Sequence, residues 1–252
     1  MTESLPKSLV VLGAASGVAR AIAEEYAIRG WALVLAGRNI DEIKRIADDL
    51  HTRHGATCHP LVFDALAFDD HKDFPAACEA ALGAQPEGVI LCFGFMAEQS
   101  DAQSDMDIAR RTMDTNLTGA MTILEAFAAV FEVRRSGFIA ALSSVAGDRG
   151  RKANYIYGAS KGGLTVYLQG LRNRLHPAGV QVTTIKPGFI DTPMTYGMKL
   201  PGPLVASPER AAKAMVCAIS KGKNVVYVSS IWRYIMCIIK SIPEWQFKKM
   251  DI

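Results

Sequence analysis

The apolar run Leu9–Leu12 leads at once into Gly13-Ala-Ala-Ser-Gly17-Val-Ala19, and then into a helical pattern over Gly17–Arg29 that stops at Gly30. A buried strand turning through small residues directly into a helix constrains the fold more than any other feature of this chain. Glycines there permit a tight turn and let another group approach the main chain closely. The start of the helix offers free N–H groups and the positive end of its dipole, an arrangement suited to a phosphate. Gly13, Ala15, Ser16, Gly17 and Val18 are therefore candidate phosphate-binding residues. The spacing is G-x-x-x-G-x-A, not the commoner G-x-G-x-x-G. Glycine-rich strand-to-helix turns are also ordinary structural features, so the motif draws its meaning from the rest of the chain.

That rest repeats the alternation. Trp31–Ala36, Thr57–Phe63, Gly88–Phe93, Phe138–Ser143, Val180–Lys186 and Asn224–Val228 read as strands. Helical patterns cover Asp41–His54, Asp105–Glu132 and the segment carrying Tyr157, and another helix starts at Ser207-Pro208, with Ser as N-cap and Pro at N1. Strands alternating with helices predict an α/β fold, a parallel sheet with helices on both faces. With 252 residues, 50% of them hydrophobic, one large domain accommodates the chain. We assign residues 1–229 to that domain and 230–252 to a C-terminal amphipathic tail.

A net charge of +3, without a basic run interleaved with aromatics, argues against a nucleic-acid partner. The five cysteines are scattered, and none has metal-ligand spacing with another cysteine or a histidine. Reduced thiols and a polar N-terminus without a signal-peptide pattern point to the cytoplasm.

Strand two ends in Ala36-Gly37-Arg38-Asn39. An acidic residue there would bind the ribose 2′-hydroxyl of NAD. Arg38 is instead a cation placed for a 2′-phosphate, so NADP(H) is the expected cofactor. Asp64 follows the third strand, where a carboxylate can take the adenine amino group or simply close a turn.

Tyr157-Gly-Ala-Ser-Lys161 places a phenol and an ammonium four residues apart, on one face of a helix. A nearby cation favours the phenolate and lowers a tyrosine pKa, and a tuned tyrosine can pass a proton to or from a carbonyl oxygen. Ser144 stands thirteen residues before Tyr157, at the end of a strand, where its hydroxyl can hold the same oxygen. Tyr155 competes as the phenol, but its i+4 partner is Ala159.

Together these residues resemble the short-chain dehydrogenase/reductase family over nearly the whole chain. The matches are Gly13–Ala19, Asn116 in Asn-Leu-Thr-Gly119, Ser144, Tyr157, Lys161, and Pro187-Gly188 followed by Ile190 and Thr192. The resemblance implies a Rossmann-type, doubly wound, parallel seven-stranded sheet and hydride transfer with a nicotinamide cofactor. It makes Tyr157 the general acid/base. Lys161 would hold the nicotinamide ribose and lower the Tyr157 pKa, Ser144 would bind the carbonyl, and Asn116 would link Lys161 to a proton-relay water. Pro187, Gly188, Ile190 and Thr192 would line the nicotinamide site. The family also implies a homo-oligomer through the Tyr157 helix and its neighbour. Leu12 stands where the family usually has Thr, and Leu91-Cys92-Phe93-Gly94 replaces its Asn-Asn-Ala-Gly, which leaves Gly94 a weaker cofactor candidate.

Two segments bear on the substrate. In this family the stretch after Gly188, up to Pro203, forms a lid. In the tail, Ile231, Ile235, Ile238, Ile239 and Ile242 fall on one helical stripe, flanked by Trp232, Trp245, Arg233, Lys240, Lys248 and Lys249. Such a helix suits a membrane interface, or packs on its own domain or on a partner. The Arg-Tyr-Ile-Met…Ile-Pro…Phe-Lys-Lys ending, the Ser144–Lys161 segment and Cys92-Phe-Gly-Phe resemble one branch of the family, the reductases of polyprenyl-phosphoryl ribose 2′-epimerisation. That resemblance implies a lipid-linked 2-keto-ribose substrate, an arabinose product, a flavin-dependent oxidase partner and peripheral contact with the inner face of the cell membrane. The residues alone leave open a general reductase of apolar ketones, or a subunit that binds NADPH without chemistry.

Overall fold

A computed structural model of the chain describes residues 7–195 and 202–251. Its centre is a parallel sheet of β1 (Ser8–Leu12), β2 (Ala32–Gly37), β3 (Cys58–Val62), β4 (Gly88–Leu91), β5 (Phe138–Leu142), β6 (Gln181–Pro187) and a late strand, Val225–Val228. Between β6 and that late strand, β7 (Phe189–Ile190) and β8 (Val205–Ala206) form a separate two-stranded ladder, which makes Val225–Val228 β9. The sheet order is β3-β2-β1-β4-β5-β6-β9. Strands β1, β2 and β4 are buried at every position. Such unbroken apolar runs are what a parallel sheet covered on both faces requires.

The helices complete the two layers. α1 (Gly17–Ala27), α2 (Ile40–His54) and α8 (Pro208–Ser220) cover one face, where Ile22, Ile43 and Met215 join Leu9 and Leu33 in one core. α3 (Phe74–Leu82), α6 (Gly119–Arg134) and α7 (Tyr155–Leu175) cover the other, burying Phe127, Phe131 and Leu164 against Val10 and Val89. The chain is thus the doubly wound α/β sheet expected. Sheet order reverses between β1 and β4, and the gap at their carboxyl ends is where such folds bind ligands.

Several local features differ from the sequence reading. The helix expected over Asp105–Glu132 is broken into α5 (Met106–Met113), a π-helical turn (Asp114–Thr118) and α6. Gly119 explains part of this, because a Cβ there would lie 2.1 Å from the Ala65 carbonyl oxygen. A π-turn inserts one residue and re-aims its neighbours, and this one turns Asn116 into the interior, fully buried. The run Met106–Arg134 is apolar and long enough to cross a membrane by composition alone, but Ile123, Leu124, Phe127 and Phe131 bury its apolar side in the core. α3, the short α4 (Gln99–Ser104) and the β7–β8 ladder have no counterpart in the sequence reading.

The tail forms α9 (Ile231–Ser241) and, after Pro243, α10 (Glu244–Phe247). Its buried face is not the isoleucine stripe. Trp232 and Met236, one turn apart, are the buried residues, with Ile235 and Ile239 partly covered beside Val145, Phe189 and Tyr227. Ile231 and Ile238 face outward. The aromatic and thioether side chains fill the space beside β9 and so set the rotation of the helix. Arg149 fastens its far end, donating to the carbonyls of Ile239 and Ile242, both at 2.6 Å, and lying over the Phe247 ring at 3.7 Å.

Candidate active site

The β1–α1 turn forms the floor of the site. Gly13 has φ +79°, and a Cβ there would lie 2.7 Å from the Phe93 backbone nitrogen, so only glycine fits. Ser16 caps α1, its hydroxyl accepting from the Ala19 N–H at 3.2 Å. Gly13, Ala15 and Ser16 line one cleft of about 230 Å³ together with Arg38, Asp64, Gly94 and Arg111. Arg38 is exposed at its rim and makes no ion pair or side-chain hydrogen bond among the described residues. Asp64 serves a turn as well, its carboxylate accepting from the Leu66 N–H at 3.0 Å. Arg111, held over the Phe95 ring at 4.6 Å, is a second cation in this cleft that the sequence reading missed. Its position on α5 carries no motif, and only the tertiary fold brings it here.

A second cleft, of about 320 Å³, continues from the first. It is lined by Ser16, Gly17 and Val18, by Gly94, by Ser144, Tyr157 and Lys161, and by Pro187, Gly188, Ile190 and Thr192. Elements separated by more than 150 residues thus meet in one pocket, across the carboxyl ends of β1, β4, β5 and β6. Thr192 lies against the β1–α1 turn, its Cγ2 4.0 Å from where a Gly17 Cβ would be. Gly188 is required for another reason: the Trp232 indole occupies the space beside it, with Nε1 1.8 Å from a hypothetical Cβ. The tail therefore presses on the Pro187-Gly188 turn. Of the expected lid, residues 196–201 lie outside the described residues.

Asn116 is in the pocket wall rather than its lining. Its carbonyl accepts from the Phe95 N–H at 2.7 Å, and its amide donates to the Phe95 carbonyl at 2.7 Å and to Ser160 Oγ at 3.0 Å. It clamps the loop after β4 to α7. Gly94 lies between them, where a Cβ would be 3.3 Å from Asn116 Oδ1 and 3.4 Å from Lys161 Nζ. Tyr155 is exposed and donates to Gln103 Oε1 at 3.1 Å, so Tyr157 alone of the pair reaches the cleft.

The titration balance differs from the one expected. Lys161 Nζ donates to the Leu142 carbonyl at 2.9 Å and sits 5.9 Å from the Tyr157 ring centre. Burial pushes Tyr157 up to about 12, and a hydrogen bond with Ser144 pulls only partly the other way. Burial also pulls Lys161 down to about 8. Desolvation disfavours the charged form of both groups.

A stability consequence follows for Lys161. Between about pH 8 and its unfolded value of 10.5 the unfolded chain holds a proton that the folded chain has lost. Stability therefore rises with pH across that window. Measured by denaturation without nucleotide, the protein should gain about 3 kcal/mol relative to Lys161→Met between pH 7 and pH 10.5. Parallel pH profiles for the two proteins would show that Lys161 is not desolvated as described.

The short chain dehydrogenase family pattern matches residues 7–200. An uncharacterized oxidoreductase of Mycobacterium tuberculosis is 33% identical over 251 residues, covering 99% of both chains. Another from Streptomyces coelicolor is 32% identical over 248 residues, covering 98% of this chain and 97% of its own. Among solved structures, a short-chain dehydrogenase from Sphingobium yanoikuyae in complex with NADPH superposes with a TM-score of 0.80 at 22% identity, covering 94% of this chain and 97% of its own. A short chain dehydrogenase from Burkholderia cenocepacia in complex with NADP gives 0.81 at 20% identity, covering 96% and 94%. These last two establish the shared fold. With the family pattern spanning most of its length and relatives matched end to end, this chain belongs to the short-chain dehydrogenase family.

Proposed function

We propose that this protein is an NADP(H)-dependent ketoreductase whose proton donor is Tyr157. One observation carries the reading: Ser144, Tyr157 and Lys161 line the same cleft as the phosphate turn and residues 187–192. The residues fit a nicotinamide dinucleotide. Gly13 leaves no room for a side chain, the α1 N-terminus faces the cleft, and Arg38 and Arg111 supply unneutralised positive charge at the adenosine end. Arg38 supports NADP(H) over NAD(H) through a 2′-phosphate.

A nicotinamide held in this cleft would supply the hydride. Ser144 holds the substrate carbonyl oxygen by a hydrogen bond. Tyr157, kept protonated by its burial, gives its proton to that oxygen as charge develops there. Lys161 places a positive charge behind the phenol and stabilises the phenolate left after transfer. Asn116 holds the Phe95 loop and α7 in register, so these groups keep their spacing.

For the substrate we propose a polyprenyl-phosphoryl 2-keto-ribose, reduced to its arabinose epimer, with a flavin-dependent oxidase forming the ketone. The cleft's apolar wall supports an apolar or lipid-linked substrate: Val18, Phe93, Leu142, Pro187 and Ile190 line it. The outer face of the tail supports contact with an anionic membrane. Ile231, Tyr234, Ile238 and Trp245 are exposed there, beside Arg233, Lys240, Lys248 and Lys249. Exposed Val133 on α6 and Val166 on α7 suit a homo-oligomer. The apolar wall equally favours a second reading, reduction of acyl or polyketide ketones. Actinorhodin polyketide ketoreductase, solved with NADPH, shares the fold with a TM-score of 0.79 at 19% identity.

The deciding assay follows NADPH and NADH oxidation with polyprenyl-phosphoryl 2-keto-ribose formed in situ by the flavin oxidase, with analysis of the product sugar. We expect NADPH-dependent formation of the arabinose epimer. Turnover of apolar ketones but not of this sugar would select the second reading. NADPH binding without turnover of any carbonyl would overturn the enzymatic assignment.

A further inference from the structure

The Pro187-Gly188 turn is a wall of the second cleft, and a contact on the far side of that wall holds its glycine. Gly188 does not have a positive φ, so its backbone conformation does not call for glycine. Space does. A Cβ there would lie 1.8 Å from Trp232 Nε1, 2.1 Å from Cε2 and 2.4 Å from Cδ1. The five-membered ring of the indole therefore lies against the main chain of the turn. Trp232 does not itself line the cleft; it reaches the cleft through Gly188.

The indole is fixed by its own surroundings. It is 4% exposed, meets the Phe189 ring edge-on at 5.1 Å, and packs with Val145, Leu204 and Met236. Val145 directly follows Ser144, which lines the same cleft. The helix that carries the indole is anchored at its far end, where Arg149 donates to the Ile239 and Ile242 carbonyls. The turn has a second support, because the Gly188 N–H donates to the Val228 carbonyl at the end of β9, at 2.8 Å. The wall is thus set between the main chain of β9 and an anchored aromatic ring. Close-packed interiors transmit such constraints. Without the indole the turn relaxes into the vacated space, and Pro187, Gly188 and Ile190 draw back from Ser144 and Tyr157.

We infer that Trp232 is a positioning residue for the nicotinamide half of the cofactor: from the tail, it fixes the Pro187-Gly188 wall against which that half lies. This rests on the nicotinamide-cofactor reading of the cleft and is independent of which ketone is reduced. The adenosine half has its groups elsewhere. The first cleft, with Arg38, Asp64 and Arg111, is lined by neither Gly188 nor Trp232. The effect of Trp232 should therefore fall on one half of the cofactor alone.

The test is calorimetric binding of two probes, NADPH and 2′,5′-ADP, the second of which has the adenosine and 2′-phosphate but no nicotinamide. Trp232→Leu should weaken NADPH at least about fivefold and leave 2′,5′-ADP within about twofold. Trp232→Phe keeps one ring and should give a smaller shift in the same direction; it decides the matter if the leucine variant does not fold. Gly188→Ala should weaken NADPH at least about tenfold, because its methyl group meets the indole and pushes the turn into the cleft. Adding Trp232→Leu to Gly188→Ala should recover most of that loss, since the methyl group then has room. A Trp232→Leu protein that is less stable but keeps the unmodified ratio of the two affinities would show that the indole only fills the core, and would overturn the inference. So would a Gly188→Ala loss that persists undiminished in the double variant. If the unmodified protein binds no NADPH, the cofactor reading falls and this inference with it; an unchanged ratio overturns this inference alone.

Discussion

Replacing Tyr157 with Phe should lower kcat for carbonyl reduction by about 10²–10⁴-fold and leave NADP(H) affinity within about twofold. The substitution deletes one hydroxyl and keeps the ring that lines the cleft beside Ser144 and Lys161. In the proposed reading cofactor binding draws on other groups that line the neighbouring cleft: the glycine turn, the α1 N-terminus and the cations at Arg38 and Arg111. The rate loss should therefore fall on kcat. The phenol is pushed up to about 12 by burial, so it holds its proton across the neutral range, as the proposed proton donor must. Single-turnover hydride transfer, followed by loss of NADPH absorbance, separates the two effects. A Tyr157→Phe enzyme that turns over at the unmodified rate would remove Tyr157 from the mechanism. A similar loss in Tyr155→Phe is not expected, because that hydroxyl faces Gln103 at the surface.

The second large effect concerns stability. Asp148→Ala should destabilise the fold by about 3–5 kcal/mol, read as a shift in the denaturant midpoint. Asp148 and Lys186 form an ion pair whose side chains are only 2% and 8% exposed. Tyr227 donates to the second carboxylate oxygen at 2.7 Å. Removing the carboxylate leaves a buried ammonium and a half-buried phenol without their acceptor. The damage should also reach the site, because this cluster ties together three segments. Asp148 follows the Ser144 turn, Lys186 immediately precedes Pro187-Gly188, and Tyr227 lies on β9 beneath the tail. Replacing both charges, Asp148→Leu with Lys186→Met, should recover most of the lost stability, since the cost lies in the unpaired charge. If Asp148→Ala alone costs less than about 1 kcal/mol, the pair is solvated and the cluster does not hold these segments together.

How much of this was legible in the residues can be judged element by element. β1, the glycine turn and α1 were readable because their signals are local: an apolar run, small residues at the turn, Gly30 past the helix end. α2 was readable as Asp41–His54, and the structure caps it with Asn39 and Gly55. α3 was missed because Phe74-Pro75-Ala-Ala-Cys-Glu-Ala-Ala-Leu82 is short and apolar nearly all round, with no polar face to mark a helix. The π-turn at Asn116 was missed because its cause, the contact of Gly119 with Ala65, joins residues more than fifty positions apart. The rotation of the tail was not readable for a related reason. Isoleucine periodicity marks a stripe, but the shape of the surface beside β9 selected the Trp232–Met236 face instead.

The same division runs through the site. Sequence by itself determined the residue types and their local spacing: the glycine turn, Arg38 after β2, Ser144 at a strand end, and Tyr157 and Lys161 one helical turn apart. Those depend on backbone geometry within a few residues, which the chain encodes directly. Only the tertiary structure decided which groups are charged, paired or left over. Burial set Lys161 to about 8 and Tyr157 to about 12, against the expectation from their spacing. Long-range packing brought Arg111 into the cleft beside the glycine turn and set Trp232 against Gly188. Desolvation and pairing are properties of everything that surrounds a group, and distant segments supply most of those surroundings once the chain is folded.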